Sequence, residues 1–118
     1  MNFLAHLYLS QNNTNILIGN FIADSIVGNK FHHFHPEIKQ GILLHREIDT
    51  FTDAHAKVRQ SKRRLHKRYN HYKGVIIDIF YDHYLAKNWH LFSNIPLRNY
   101  VDDVYKTLQD NFDILPDK

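Results

Sequence analysis

The chain has 118 residues, 43% hydrophobic and 14% aromatic, with no cysteine and a formal net charge of +3. That length suits one domain able to bury roughly two thirds of its surface. The absence of cysteine removes disulfides, zinc-thiolate sites and thiol nucleophiles, leaving ten histidines and twelve acids as metal ligands. No apolar run approaches the roughly 20 residues that span a bilayer, and Met1-Asn2-Phe3-Leu4-Ala5-His6 has no basic start of a signal peptide, so a soluble, cytoplasmic protein is expected.

Helical periodicity runs through almost the whole chain without sustained apolar/polar alternation, which predicts an all-α domain of about six helices. The first covers Phe3 to Leu9. The second starts after Asn13 or Thr14 as N-cap and stops near Gly28 as a C′ residue, with Ile16, Asn20, Ala23, Asp24 and Val27 on its inner face. A loop from Asn29 to His35 leads into Pro36, suited to the first turn of a long third helix running to about Thr52. Asp53 reads as the cap of a basic fourth helix whose few inward residues are Val58 and Leu65. A fifth, from about Gly74 to Trp89, is apolar nearly all round and is expected at the centre, covered by others. Pro96 opens a sixth, with Leu97, Val101, Val104 and Leu108 inward, and the sequence closes in a loop at Leu115-Pro116. No repeat, low-complexity stretch or linker divides residues 1–118 into two domains.

Two of these helices carry polar groups where packing alone wants hydrocarbon. At about 100° per residue, Ile38, Ile42, His45, Asp49, Thr52 and Ala56 fall near a common line, and Asp78 and Asp82 share a stripe with Val75, Ile79, Ala86 and Trp89. An unpaired buried carboxylate costs several kcal/mol, so these acids are protonated, paired with cations or bound to metal, and a metal satisfies all of them together. The His45/Asp49 pair alone is a weak signal, because an i, i+4 pair of this kind is more often simply hydrogen-bonded. Asp78/Asp82 is more specific, since two like charges repel unless a cation or proton lies between them. His83 points about 100° away from Asp82, so it ligates only from the rim, serves as an acid/base group or simply packs beside Tyr84. Asn20 and Asp24 make a third inward polar pair. His6 is expected as a satisfied core histidine supporting the site, and Asp53 as a cap rather than a ligand. His32, His33 and His35 read as a surface turn. Between Ala56 and Gly74 lie Lys57, Arg59, Lys62, Arg63, Arg64, Lys67, Arg68 and Lys73 without one acid, which fits an acidic partner about as well as a solvated face.

Several stretches together resemble the acyl-carrier-protein phosphodiesterase family: Met1-Asn2-Phe3-Leu4-Ala5-His6-Leu7, Gly19-Asn20-Phe21-Ile22-Ala23-Asp24, Gly41 through His45-Arg46-Glu47-Ile48-Asp49 to Thr52-Asp53, and Asp78 through Tyr81-Asp82-His83 to Trp89. These hydrolases remove 4′-phosphopantetheine from holo acyl carrier protein and are described as a non-canonical branch of the HD-domain phosphohydrolases, so the resemblance implies an HD-domain-like helical fold. Family members continue past the loop at Leu115-Pro116 with further helices, which implies a chain shortened at its C-terminus. Here the doublet reads Asp82-His83, the reverse of the HD order. Carried over by motif, Asp24, His45, Asp49, Asp82 and His83 are the metal candidates, with Asp78 and His6 close behind; His83, Arg46 and Asp78 are assigned as the catalytic groups, and His6, Asn20 and Asp53 as their support. The resemblance implies Mn²⁺, with Mg²⁺ as the alternative. It also gives the basic helix, Lys57, Arg59, Lys62, Arg63, Arg64, Lys67 and Arg68, an acidic partner in acyl carrier protein. Nucleic acid and membrane are not expected as partners. Two other readings stand beside this one: an HD-type phosphohydrolase acting on a nucleotide or small phosphoester, and a non-catalytic basic binding module.

Overall fold

The computed structural model describes residues 3–115 and consists of six helices: α1 (Phe3–Leu9), α2 (Thr14–Ile22), α3 (Pro36–Ala54), α4 (Ala56–Tyr69), α5 (Lys73–Lys87) and α6 (Leu97–Asp110). Short 3-10 turns follow at Ala23–Ser25, Trp89–Leu91 and Phe112–Ile114, and no strand occurs among the described residues. Met1 and Asn2 of the N-terminal motif, and the expected closing loop from Pro116 onward, lie outside the described residues. Among the described residues no helix is long and apolar enough to cross a membrane.

Local chemistry sets most helix starts. Asn13 caps α2, its Oδ1 accepting the Ile16 N–H at 3.0 Å, while Pro36 occupies the first turn of α3 and the His35 ring accepts the Glu37 N–H at 3.1 Å. Glu37 also takes hydrogen bonds from Asn13 at 2.7 Å and Asn15 at 3.4 Å, which ties the start of α2 to that of α3 and holds its carboxyl below the usual range.

The core lies at the α2/α3 crossing. A Cβ on Gly19 would lie 2.9 Å from the Gly41 Cα and closer still to the Ile38 carbonyl oxygen; one on Gly41 would lie 2.9 Å from the Asn20 nitrogen. Glycine at both positions lets the two backbones touch. Ile18 and Ile42 are fully buried there, with Ile22, Ala23, Phe31 and Ile38 around them; each large aliphatic contributes roughly 1.5–3 kcal/mol. A second cluster joins Leu17 of α2 to Val104 and Leu108 of α6.

Three expectations are corrected. Helix α2 ends at Ile22 rather than near Gly28, because Asp24 and Ser25 favour turns over helix interiors; Gly28 does have φ +56°, but in the following turn, and Val27 is 72% exposed. Asp53 lies inside α3 and pairs with Lys62 at 3.0 Å, while His55, with the extended backbone that a cap requires, accepts the Lys57 N–H. Helix α5 is not central. Only Ile77 is buried on it, whereas Val75, Ile79, Phe80 and Tyr84 are 52–60% exposed. The radius of gyration of 15.2 Å exceeds the about 13.5 Å of a compact globule this long, and the least extent is 23 Å, about two helix layers. A slab this thin covers an edge helix on one side only, and α5 meets α1 and α4 there.

Candidate metal centre

Four elements bring ionisable side chains to one end of the α2/α3 core: α1 supplies His6, the 3-10 turn Asp24, α3 His45, Asp49 and Asp53, and α5 Asp78. His6 and His45 are buried, at 2% and 5% exposure, and their rings stack with centroids 3.8 Å apart and planes 13° apart. One carboxylate joins the two rings. Asp49 Oδ1 lies 3.0 Å from His6 Nε2, and Asp49 Oδ2 lies 3.3 Å from His45 Nε2. Asp24 Oδ1 reaches the same His45 nitrogen at 3.2 Å. On its other side, His45 Nδ1 is hydrogen-bonded to Asn20 Oδ1 at 2.9 Å. The buried Asn20 amide in turn donates to the His6 carbonyl at 2.8 Å and to Ser10 Oγ at 2.9 Å, and Ser10 Oγ donates to the His6 carbonyl at 2.9 Å.

Burial, then the neighbouring His45 ring, push the His6 pKa below the ordinary histidine value against the pull of Asp49. A neutral imidazole keeps a lone pair for a cation. His6 Nδ1 is buried without a hydrogen-bond partner among the described residues. His6, His45 and Asp49 each offer a ligand atom, all within 4.8 Å of one another. Donors about 2.1 Å from one cation stand roughly 3.0–3.4 Å apart; the two Asp49 contacts, one from each oxygen, fall in that range, and the group is one that could hold a divalent ion. Above it opens a cleft of about 310 Å³ whose ionisable lining is His6, Asp24, Asp49, Asp53 and Asp78. A groove of about 410 Å³ between α1 and α6, lined by Phe3, Leu7, Phe21, Val104 and Leu108 among others, holds no acid, histidine or cation.

Of the residues expected from sequence, the structure thus brings together Asp24, His45, Asp49 and Asp78, with Asn20 behind them and Asp53 at the rim. His6, expected as support and as a ligand candidate behind the others, stands in the donor group itself. Ser10, part of the Asn20 network, carried no sequence signal. Asp82 lies elsewhere: its two oxygens accept the backbone N–H groups of Leu4 at 3.1 Å and Ala5 at 3.2 Å, in the first turn of α1, where a helix leaves donors unsatisfied. Arg46 donates to the Ile26 carbonyl at 3.2 Å and lies over the Phe31 ring, and it does not line the cleft. Nor does His83, exposed on α5. On α4, Lys57, Arg59, Arg63, Arg64, Lys67 and Arg68 are exposed, and Lys62 pairs with Asp53, so the basic helix borders the cleft.

The sequence model of the family described as acyl carrier protein phosphodiesterase matches residues 1–118. A relative of that name from Pectobacterium atrosepticum is 34% identical over 119 residues, covering 100% of this chain and 62% of the relative. One from Salmonella agona is 35% identical over 102 residues, 86% of this chain and 53% of the relative. One from Yersinia enterocolitica is 37% identical over 89 residues, 75% of this chain and 46% of the relative. The chain therefore spans about half to three fifths of the length of these relatives. No solved structure matches it. With the family pattern running along all 118 residues, and with its polar motif positions Asp24, His45 and Asp49 meeting at one buried centre, the chain belongs to the acyl carrier protein phosphodiesterase family.

Proposed function

We propose that this chain builds the active site of a metal-dependent phosphodiesterase that hydrolyses 4′-phosphopantetheine from holo acyl carrier protein, releasing the apo protein in the cytoplasm. The observation that carries this reading is the buried His6/His45 pair closed by Asp49 at the floor of an acidic cleft. His6, His45 and Asp49 would hold the ion, with Asp24 beside them. A mixed imidazole and carboxylate set suits Mn²⁺, with Mg²⁺ as the alternative. When bound, such an ion supplies positive charge for a non-bridging phosphate oxygen and acidifies water. The chain's own residues do the rest. Asp49 aligns both rings through one carboxylate. Asp78, on the α5 wall of the cleft, would exchange a proton with a phosphodiester bound there, in place of His83, to which the sequence reading gives the acid/base role. Asp82 holds the first turn of α1 and thereby His6. Arg46 anchors the segment that follows Asp24. The exposed cations of α4 steer the acidic carrier protein to the cleft beside them.

The test is mass spectrometry of holo acyl carrier protein incubated with the chain and Mn²⁺, with EDTA and Asp49→Asn as controls. Loss of the phosphopantetheine mass, abolished by both, is the expected outcome. An unchanged mass with folded, Mn²⁺-binding protein would refute the activity for this chain. Turnover should also fall steeply with added salt; salt-independent turnover would remove α4 from docking.

A further inference from the structure

We infer that Asn20 is a positioning residue that locks the His45 tautomer: it fixes the proton on Nδ1 and leaves the Nε2 lone pair aimed at Asp24 and Asp49 before any cation arrives. Asn20 is 1% exposed, and its amide has one workable orientation. Its nitrogen faces the His6 carbonyl at 2.8 Å and Ser10 Oγ at 2.9 Å. Turned over, the amide oxygen would face a carbonyl oxygen, acceptor against acceptor, and both donated bonds would be lost. The Ser10 proton is committed as well, since its hydroxyl donates to the same His6 carbonyl at 2.9 Å and so receives the Asn20 N–H on oxygen.

With the amide fixed, its oxygen meets His45 Nδ1 at 2.9 Å, and an amide oxygen only accepts. The hydrogen is therefore on Nδ1. In the neutral ring, Nε2 then carries a lone pair 3.2 Å from Asp24 Oδ1 and 3.3 Å from Asp49 Oδ2. Three acceptors converge with no hydrogen between them, an arrangement that a cation relieves. Without Asn20, the ring could move its proton to Nε2, donate it to either carboxylate and satisfy the site by itself. For the neutral ring the lock denies the site that self-satisfied state, leaving a second proton or a cation as the two ways to relieve it. A ligating histidine whose other nitrogen loses its partner typically costs 10–100-fold in metal affinity. The consequence for metal rests on the cation reading of the cleft; the tautomer does not.

The experiment uses the full chain, ¹⁵N-labelled and metal-free, at about pH 8, above the usual histidine range. Long-range ¹H–¹⁵N spectra of the His45 ring, assigned against His45→Gln, read the tautomer directly, and calorimetric titration with Mn²⁺ reads affinity. The expected result is an Nδ1–H ring in the wild type, movement toward Nε2–H in Asn20→Ala, and a Kd for Mn²⁺ raised about 10–100-fold in that variant. An Nε2–H ring in the wild-type protein overturns the lock, and wild-type Mn²⁺ affinity in Asn20→Ala overturns its consequence for metal. An Nδ1–H ring in wild-type protein that binds no Mn²⁺ upholds the lock and overturns the metal reading. Should Asn20→Ala fail to fold, the wild-type spectrum still decides.

Discussion

Replacing Asp82 with alanine separates two roles for this acid, ligand and helix anchor, because they predict opposite behaviour without metal. As an anchor, Asp82 satisfies two N–H groups at the start of α1, at 3.1 and 3.2 Å. A hydrogen bond to a charged group contributes about 1.5–3 kcal/mol, and losing a helix cap to alanine costs about 0.5–2 kcal/mol. With Asp82 half-buried, the two bonds together come to about 2–3 kcal/mol, a large part of the roughly 5–15 kcal/mol that holds a domain of this size. At about 2.1 cal/mol/K per residue, the 118 residues unfold with about 250 cal/mol/K, so each kcal/mol moves Tm by about 4 °C. Asp82→Ala should therefore lower Tm by about 8–12 °C in EDTA, read by circular dichroism or calorimetry. The seven residues of α1 cannot persist as a helix unaided, so the loss should also loosen His6 from Asp49 and weaken Mn²⁺ binding. As a ligand, Asp82 would be one acid among several, and its removal without metal would leave Tm unchanged or slightly raised. A Tm in EDTA within about 2 °C of wild type would refute the anchoring argument.

Three further outcomes follow from the geometry. Gly41→Ala sets a methyl against the α2 backbone, which cannot rotate away as a side chain could, and should cost about 3 kcal/mol or more in urea unfolding; a change under about 1 kcal/mol would mean the helices separate easily. The lowered pKa of folded His6 means that the unfolded chain takes up its proton first, so this contribution to stability is present above about pH 6.5 and is lost as pH falls from there toward the lowered value. Urea midpoints of the metal-free protein should fall between about pH 7.5 and 5.5, more steeply than in His6→Gln, and equal slopes would remove His6 as the cause. The Tyr100 hydroxyl is buried without a partner among the described residues and burial pushes its pKa up to about 12, so Tyr100→Phe should be neutral or stabilising by about 1 kcal/mol; a clear loss of stability would reveal a bond to that oxygen.

What was legible in the sequence was mostly local. The bounds of α1, the Asn13 cap and Pro36 at the head of α3 each depend on a few neighbouring residues, and the structure has them where the pattern put them. The α3/α4 corner was misplaced by two residues because Asp53 and His55 are both plausible caps, and the choice falls to whichever takes the extended backbone. In the site, Asn20, Asp24, His45 and Asp49 stood out because i, i+4 polar pairs on apolar faces are visible along a single helix. His6 meets Asp49 43 positions away, and no periodicity reports a pairing between helices. Asp82 misled for the same reason: an acid on an apolar stripe must be satisfied, but the sequence does not say whether a metal or the open N–H groups of another helix do so.

The charges around the cleft add a condition to the proposed function. Asp24, Asp49, Asp53 and Asp78 line it, and Lys62 of α4 pairs with Asp53. On the proposed function the substrate is a phosphodiester, itself an anion, and a divalent ion at the floor would offset the carboxylates of Asp24 and Asp49 that otherwise oppose its entry. The exposed cations of α4 lie beside the cleft rather than inside it, where they attract an acidic protein over about a Debye length, 8–10 Å, without neutralising the acids at the floor. The two fields therefore act at different stages of binding. Helix α4 would concentrate the carrier protein at the surface, and a metal held by His6, His45 and Asp49 would admit its phosphate. The two functions separate on that basis. Charge reversal on α4 should raise KM with little change in kcat, whereas metal removal should abolish turnover even at saturating carrier protein.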